Sequence, residues 1–363
     1  MNRKKIDRPF LISVIILVVA GFFIFTSAAL GLLARNGATF ASVAFNQIFL
    51  GLFLGGIAFI ITTKIDYRLW RKYSLPIYIF SIIACVLVFI PHIGFTSGGA
   101  KRWISIGPLS LQPAEIYKIG FIIYFAAWLT AVKQGVATFR HGLLPLLILT
   151  GITAGLLLAQ PDTDTFFIII FAALSMYIVA GGRFRDLLII AIIGVIGFGV
   201  LYETRPYIRA RVETFLHPSN NALTSSYQAQ QSQIAIGSGQ FLGRGFGQSV
   251  QKFNFLPEPI GDSIFAVAAE EFGFVGSVTI ILLYLFFSLR ALKIAAGTPE
   301  TFGRLIVVGI VILIISESFI NIGAMLGILP LSGTPLLFIS HGGTALFFSL
   351  AEVGMILNVS KRK

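Results

Sequence analysis

Charge is what this chain has least of. Only 12% of its 363 residues are Asp, Glu, Lys or Arg, and 56% are hydrophobic. Soluble domains average roughly 25% charged residues. A soluble core large enough to bury this much apolar surface would be unusual at this length, and a multi-span membrane protein is the natural reading. Cysteine is nearly absent. Cys85 stands alone in an apolar run, so no intrachain disulfide can form. No P-loop, zinc motif, nucleophile elbow or dinucleotide fingerprint occurs. No internal repeat is visible, which leaves an inverted-repeat transporter without support. The net charge of +12 does not point to nucleic acid, because most cations sit in short clusters at the ends of apolar runs.

What is present is a succession of apolar segments. A span needs about 20 apolar residues. By that rule ten candidates fall at 10–34, 44–63, 76–94, 114–132, 143–159, 165–181, 187–203, 262–289, 305–325 and 336–359. The run after MNRKKIDRPF is too long for a signal-peptide core and reads as a retained first span. The fifth and sixth candidates, separated by QPDTDT, read as a tight hairpin or a re-entrant pair. Pro330 and Pro335 interrupt the start of the last. The expected fold is an all-α polytopic membrane protein of about ten transmembrane helices. It forms a single membrane domain over 1–363, with one large extracytoplasmic loop at 204–261.

Basic residues set the orientation. Arg3, Lys4, Lys5, Arg8, Lys64, Arg68, Arg71 and Lys72 fall on one face of this arrangement. So do Lys133, Arg140, Arg183, Arg185, Arg290, Lys293, Arg304, Lys361, Arg362 and Lys363. The positive-inside rule makes that face cytoplasmic, with both termini on it. The long loop then faces outside. Its segment SSYQAQQSQIAIGS reads as a short surface helix or a flexible loop, and QIAIGSGQFLGRGFGQS is dense in glycine.

Several polar residues stand where charge is costly. Asp262 lies where the polar loop re-enters the apolar segment LPEPIGDSIFAVAAEEFGFVG; it reads as a functional carboxylate, a helix N-cap, or both. In LQPAEIYKIGFIIYF, Pro113 suits a first helical turn, and Glu115 and Lys118 then share one face. They read as a structural bridge or as a cationic contact for an anionic substrate. Lys101, Arg102 and Trp103 place two cations and an amphipathic ring at the outer interface, suited to lipid phosphate or to a routine aromatic belt. Asp162 and Asp164 are outer-loop acids whose spacing is compatible with a metal, though short Asp–Thr loops most simply cap helices. Ser340 and His341 lie in the broken segment GILPLSGTPLLFISHGGTALFF, which must line a cavity or be buried in protein. Glu317 and Asn321 are one helical turn apart and read as one network; Glu270 and Glu271 are further intramembrane acids.

At these residues the chain resembles the SEDS proteins (shape, elongation, division and sporulation), the FtsW and RodA type. The likeness runs over nearly the whole chain. It rests on KRWISIGPLSLQPAE with Lys118 following, on QPDTDT, on GSGQFLGRGFGQSVQKFNFLPEPIGDSIFAVAAEEFGFVG, and on NIGAMLGILPLSGTPLLFISHGG. The run GQSVQKFNFLPE is more similar to the FtsW division branch than to the RodA elongation branch. The resemblance implies a ten-span glycosyltransferase. It would polymerise lipid II into peptidoglycan strands beside a class B penicillin-binding protein and other division proteins. The family's essential acid falls on Asp262, its polar cavity residues on Glu115 and Lys118, and its loop Trp on Trp103. The chain departs from the family at Ile260, Gly261 and Ser263 around that acid. It departs also at Ser340-His341-Gly342-Gly343-Thr344 and at Asp162-Thr163-Asp164-Thr165.

On this basis Asp262 is expected as the general base for an attacking sugar hydroxyl. Lys118, Arg102 and Lys252 are expected at the pyrophosphate, with Glu115 orienting Lys118. Trp103, Asp162 and Ser340 are further substrate contacts. A divalent cation, Mg or Mn, could assist, with no defined ligand set. A lone carboxylate suits direct, inverting displacement. The alternatives are a lipid II flippase or transporter with the same polar cavity, an elongation-type, RodA-like polymerase, and a scaffold that only organises division proteins.

Overall fold

The computed structural model describes residues 6–35, 37–97, 100–106, 109–217 and 226–361. The basic residues Arg3, Lys4, Lys5, Arg362 and Lys363 lie outside them.

Helices dominate, as the hydropathy requires. In chain order they begin with α1 (Arg8–Arg35), α2 (Gly37–Phe45) and α3 (Gly55–Lys64), the last two joined by π-helical turns over Asn46–Leu54. Next come α4 (Tyr67–Lys72), α5 (Ser74–Leu87) and α6 (Pro113–Val132), then α7 (Leu144–Ala159), α8 (Thr163–Val179) and α9 (Phe184–Thr204). The long loop region holds α10 (Pro206–Leu216), α11 (Tyr227–Ser238) and α12 (Gln251–Asn254). The chain finishes with α13 (Ile264–Ala296), α14 (Thr301–Met325) and α15 (Gly343–Ser360).

Among the described residues, eight helical stretches are long and apolar enough to cross a membrane. The segments expected at 76–94 and 165–181 are the shorter apolar helices α5 and α8. The protein is a multi-pass membrane protein. The fifth and sixth candidates are the helices α7 and α8, joined by a short turn.

One boundary differs from expectation. The last helix starts at Gly343, not near 336. Pro330 and Pro335 cannot continue a helical ladder, and residues 330–336 carry no helix. The segment joining α5 to α6 carries strands. It folds as an antiparallel sheet of β1 (Gly94–Ser97), β2 (Ala100–Ile106) and β3 (Leu109–Leu111), in that order. Phe95 faces Trp103, and Ile104 faces Leu111.

α14 is the buried axis, packed on α6, α8, α13 and α15. α15 packs most closely on α3. An added Cβ at Gly354 would fall 2.0 Å from Thr62 Oγ1 and 2.7 Å from the Phe59 carbonyl. Small residues buy this approach between backbones in lipid, where dispersion and hydrogen bonds replace the hydrophobic drive. α9 contrasts, because most of its residues are exposed.

Hydrogen bonds define the two ends of the bundle. At one end Arg290 Nε donates to Asp7 at 2.9 Å, Arg68 Nε to Glu300 at 3.0 Å, and Lys361 Nζ to the Thr63 carbonyl at 2.8 Å. At the other end the sheet, the 160–162 turn, α10 and residues 326–342 surround the start of α13.

That start is held by the glycine-rich loop. Glu270 accepts from Ser249 Oγ at 2.6 Å and from the amides of Val250 and Gln251 at 3.1 and 3.3 Å, which anchors the beginning of α12. The amides of Arg244 and Gly245 bond to the carbonyls of Glu270 and Glu271, each at 3.0 Å. Gly243 makes this possible. Its φ is +84°, and a Cβ there would sit 2.1 Å from the Glu271 carbonyl oxygen. The segment expected as a surface helix or flexible loop is α11, packed against α13 and α14.

Candidate functional site

Asp262 ends the loop one residue before the cap of α13. Ser263 is the N-cap and makes no side-chain capping bond. The capping role open to Asp262 is therefore not the one it plays. Its backbone carbonyl accepts from Asn321 Nδ2 at 2.8 Å, and the same amide group donates to the Thr334 carbonyl at 2.8 Å. The peptide is fixed from α14, while the carboxylate is half-buried and makes no ion pair among the described residues. A Cβ built on Gly333 would lie 3.8 Å from its Oδ2. Burial pushes the Asp262 carboxyl up to about 7; Glu258 and Asp164 push the same way, and Arg211 and Arg102 oppose them.

Those neighbours form a polar rim. Asp164, in the first turn of α8, accepts from Arg211 Nη1 of α10 through both its oxygens, at 3.1 and 2.9 Å. Its Oδ2 also accepts the Gly333 amide at 3.2 Å. Asp162 caps α8, accepting from the Thr165 amide at 3.4 Å, and stands 3.7 Å from Arg102 Nη1. Burial raises its carboxyl above the ordinary value, with Arg102 opposing. Its Oδ2 is buried without a partner. Arg102 also donates to the carbonyls of Gln160, at 3.2 Å, and Pro161. Trp103, beside it on β2, is half-buried.

Ser340 stitches the broken segment to this rim rather than offering a free hydroxyl. Its Oγ donates to the Gly261 carbonyl at 2.8 Å and accepts from the Leu336 amide at 2.8 Å. The His341 amide bonds to the Ile260 carbonyl at 2.7 Å. Backbone without helix thus ends up lining the site, its polar groups satisfied by protein.

Deeper in the bundle, Lys118 lies between two carboxylates. Its ammonium is 2.8 Å from Glu115 and 2.6 Å from Glu317, all three buried. Glu115 and Lys118 pair within one turn of α6. Glu317 joins Lys118 rather than Asn321, whose amide turns to Asp262 and Thr334. Glu352 of α15 lies within electrostatic reach of the same ammonium.

Lys252 corrects the expectation of a phosphate contact. It is fully buried, and its ammonium is 2.7 Å from Glu271, 2.9 Å from Ser27 Oγ and 2.9 Å from the Gly247 carbonyl. An ammonium has three hydrogens, and three acceptors take them. Lys252 fastens the loop to α1 and α13, and is not brought together with Asp262.

The structure thus gathers Asp262, Arg102, Asp162 and Ser340 at one rim, sets Glu115 and Lys118 deeper, and sends Lys252 elsewhere. Arg211 and Asn321 complete the rim. Arg211 was not singled out by sequence, being one of several arginines in RPYIRARVE. Among the described residues no three His, Cys, Asp or Glu side chains converge to hold a metal ion. The acids Asp162 and Asp164 instead face guanidinium groups.

This arrangement has counterparts. Stage V sporulation protein E of Bacillus subtilis is 34% identical over 364 residues, covering 99% of each chain. A probable peptidoglycan glycosyltransferase FtsW of Geobacter metallireducens is 37% identical over 309 residues, 85% of this chain and 82% of the relative. A solved structure described as the structural coordination of polymerization and crosslinking by a peptidoglycan synthase complex superposes with a TM-score of 0.80. It shows 26% identity over 98% of both chains. The profile of the cell cycle protein family, built on FtsW, RodA and SpoVE, matches residues 8–363, and the chain belongs to that family.

Proposed function

We propose that this chain is a peptidoglycan glycosyltransferase of the bacterial cytoplasmic membrane, polymerising lipid II at the outer face. The observation that carries the reading is Asp262. It is a half-buried carboxylate free of ion pairs among the described residues, fixed by its backbone and raised to about 7. A base poised near the working pH is what an attacking sugar hydroxyl needs. Both termini are cytoplasmic in this reading, which follows from the basic residues gathered at the opposite end of the bundle.

The acceptor hydroxyl approaches the donor anomeric carbon and gives its proton to Asp262. The bond to the lipid pyrophosphate breaks with inversion, and the pyrophosphate leaves with the bonding electrons. Developing charge there calls for fixed cations. Arg102 and Arg211 are partly exposed at the rim and carry guanidinium hydrogens suited to phosphate. Lys118 is committed to Glu115 and Glu317 and acts from beneath by holding the cavity in shape. Trp103 covers the sheet side of the entrance. A divalent cation remains compatible with the chemistry, and no step is assigned to one.

Residues 1–363 act as one membrane domain, with 204–261 as the outer loop that delivers Arg211 and Asp262. The partner is a class B penicillin-binding protein, which crosslinks the strands. The run GQSVQKFNFLPE favours division over elongation.

Polymerisation of purified lipid II, with and without such a partner, tests the reading. Wild-type protein is expected to give polymer, and Asp262→Asn to give none while its thermal midpoint is no lower than that of the wild type. Polymer from Asp262→Asn would remove Asp262 from the mechanism; lipid translocation without polymer from the wild type would favour a flippase.

A further inference from the structure

The end of the bundle away from Asp262 holds a feature the glycosyltransferase reading does not use. Between Glu115 and Asp162 the sequence has no acidic residue, while it has Lys133, Arg140 and His141 near the turn joining α6 to α7. Thr138 caps that turn, and Trp128 Nε1 of α6 donates to the His141 carbonyl at 3.1 Å. The indole is thereby held beside Arg140 and His141. Arg140 is exposed and forms no ion pair among the described residues.

Directly below these groups is a cleft of about 380 Å³, within the range of ligand clefts, about 300–1,000 Å³. Tyr124, Leu144, Ile148 and Leu149 line it. Tyr124 is fixed by stacking on Tyr78, ring centres 4.8 Å apart and planes 5° from parallel. Leu144 and Ile148 are one helical turn apart on α7 and largely exposed, so the cleft opens sideways from the helices.

A basic residue at a helix end is ordinarily only a topology signal. Here an unpaired guanidinium and an anchored indole stand over an apolar slot running along a helix. That is the pattern of one charged head and one chain. We propose that this cleft is a binding site for one anionic phospholipid of the inner leaflet. The headgroup phosphate meets Arg140, Trp128 sits at the glycerol level, and one acyl chain follows Leu144 and Ile148. Charge complementarity selects the occupant, since the stretch offers cations and no acid to a headgroup. The leaflet rests on the orientation proposed above; the lipid class does not.

The test reads lipid contact rather than polymerisation, so its failure leaves the proposed activity untouched. The full chain carrying Trp70→Phe and Trp103→Phe keeps Trp128 as its single indole. It is titrated in detergent with phosphatidylglycerol or phosphatidylcholine bearing brominated acyl chains, and Trp128 quenching is followed. Phosphatidylglycerol is expected to quench at about fivefold lower concentration, the contribution of one surface cation. Arg140→Gln should erase that preference and Arg140→Lys should keep most of it. Leu144→Phe, which narrows the slot without altering charge, should weaken quenching by both lipids. Equal quenching by the two lipids, or a preference that survives Arg140→Gln, overturns the proposal. So does competition by inorganic phosphate at the concentration at which the lipid binds, which would make this a phosphate site.

Discussion

Lys118 donates to Glu317 at 2.6 Å across the contact of α6 with α14, although 199 residues separate them in the chain. The same ammonium holds Glu115 at 2.8 Å. One buried cation therefore ties together two helices that meet beneath Asp262. Removing one partner of a buried pair leaves an uncompensated charge and costs about 3–5 kcal/mol.

The first prediction follows from that asymmetry. Lys118→Met strands both carboxylates and should lower the thermal midpoint sharply. Glu317→Gln leaves Lys118 its bond to Glu115 and should cost clearly less. Thermal unfolding in detergent, monitored by tryptophan fluorescence, gives the order. Equal losses would mean that Glu317 carries as much of the cluster as Lys118 does.

The second concerns pH and Asp262. Its carboxyl is raised from the ordinary 3.8 to about 7, chiefly by burial. The folded protein therefore binds this proton more tightly than the unfolded chain. The stability it contributes is fully present below 3.8 and is lost as pH rises through about 7. A base must be ionised to act, so polymerisation should climb with pH, reach half its maximum at about pH 7 and level off beyond it. Activity that is flat from pH 5 to 8 would argue against Asp262 as the base.

The third uses the charges around it. Asp164 raises the Asp262 carboxyl and Arg211 lowers it. Asp164→Asn should move the acid limb of the rate profile to lower pH, and Arg211→Gln should move it higher. Because Asp164 also fixes the Gly333 amide and Arg211, the double variant should deviate from additivity by about 0.5–3 kcal/mol. A purely structural role for the pair would lower activity without moving the limb.

How far the sequence reached depends on the range of the interaction. Spans were legible because hydropathy is local, and Glu115 with Lys118 because one helical turn joins them. Asp262 was legible because charge at a membrane boundary is costly, but its failure to cap α13 depended on how the 256–263 turn closes. Glu317 as the partner of Lys118 was not legible, since tertiary packing of α6 on α14 decides it. Arg211 was one arginine among several until α10 brought it to Asp164. The sheet at 94–111 was hidden by glycine, serine and proline between its short strands.

Lys252 gives the last prediction. In sequence it is a cation in an outer loop, ten residues before the proposed base, and a phosphate contact is the simple expectation. In the fold its three hydrogens go to Ser27, Gly247 and Glu271, and it is fully buried. Lys252→Met should therefore leave Glu271 uncompensated and destabilise the protein by about 3–5 kcal/mol. Adding Glu271→Gln should recover part of that loss, because the stranded charge is then gone. A phosphate contact predicts the reverse pattern: an unchanged thermal midpoint, a raised KM for the lipid-linked substrate, and no rescue by Glu271→Gln. The rescue discriminates most cleanly, because substrate binding gives the second substitution nothing to repair.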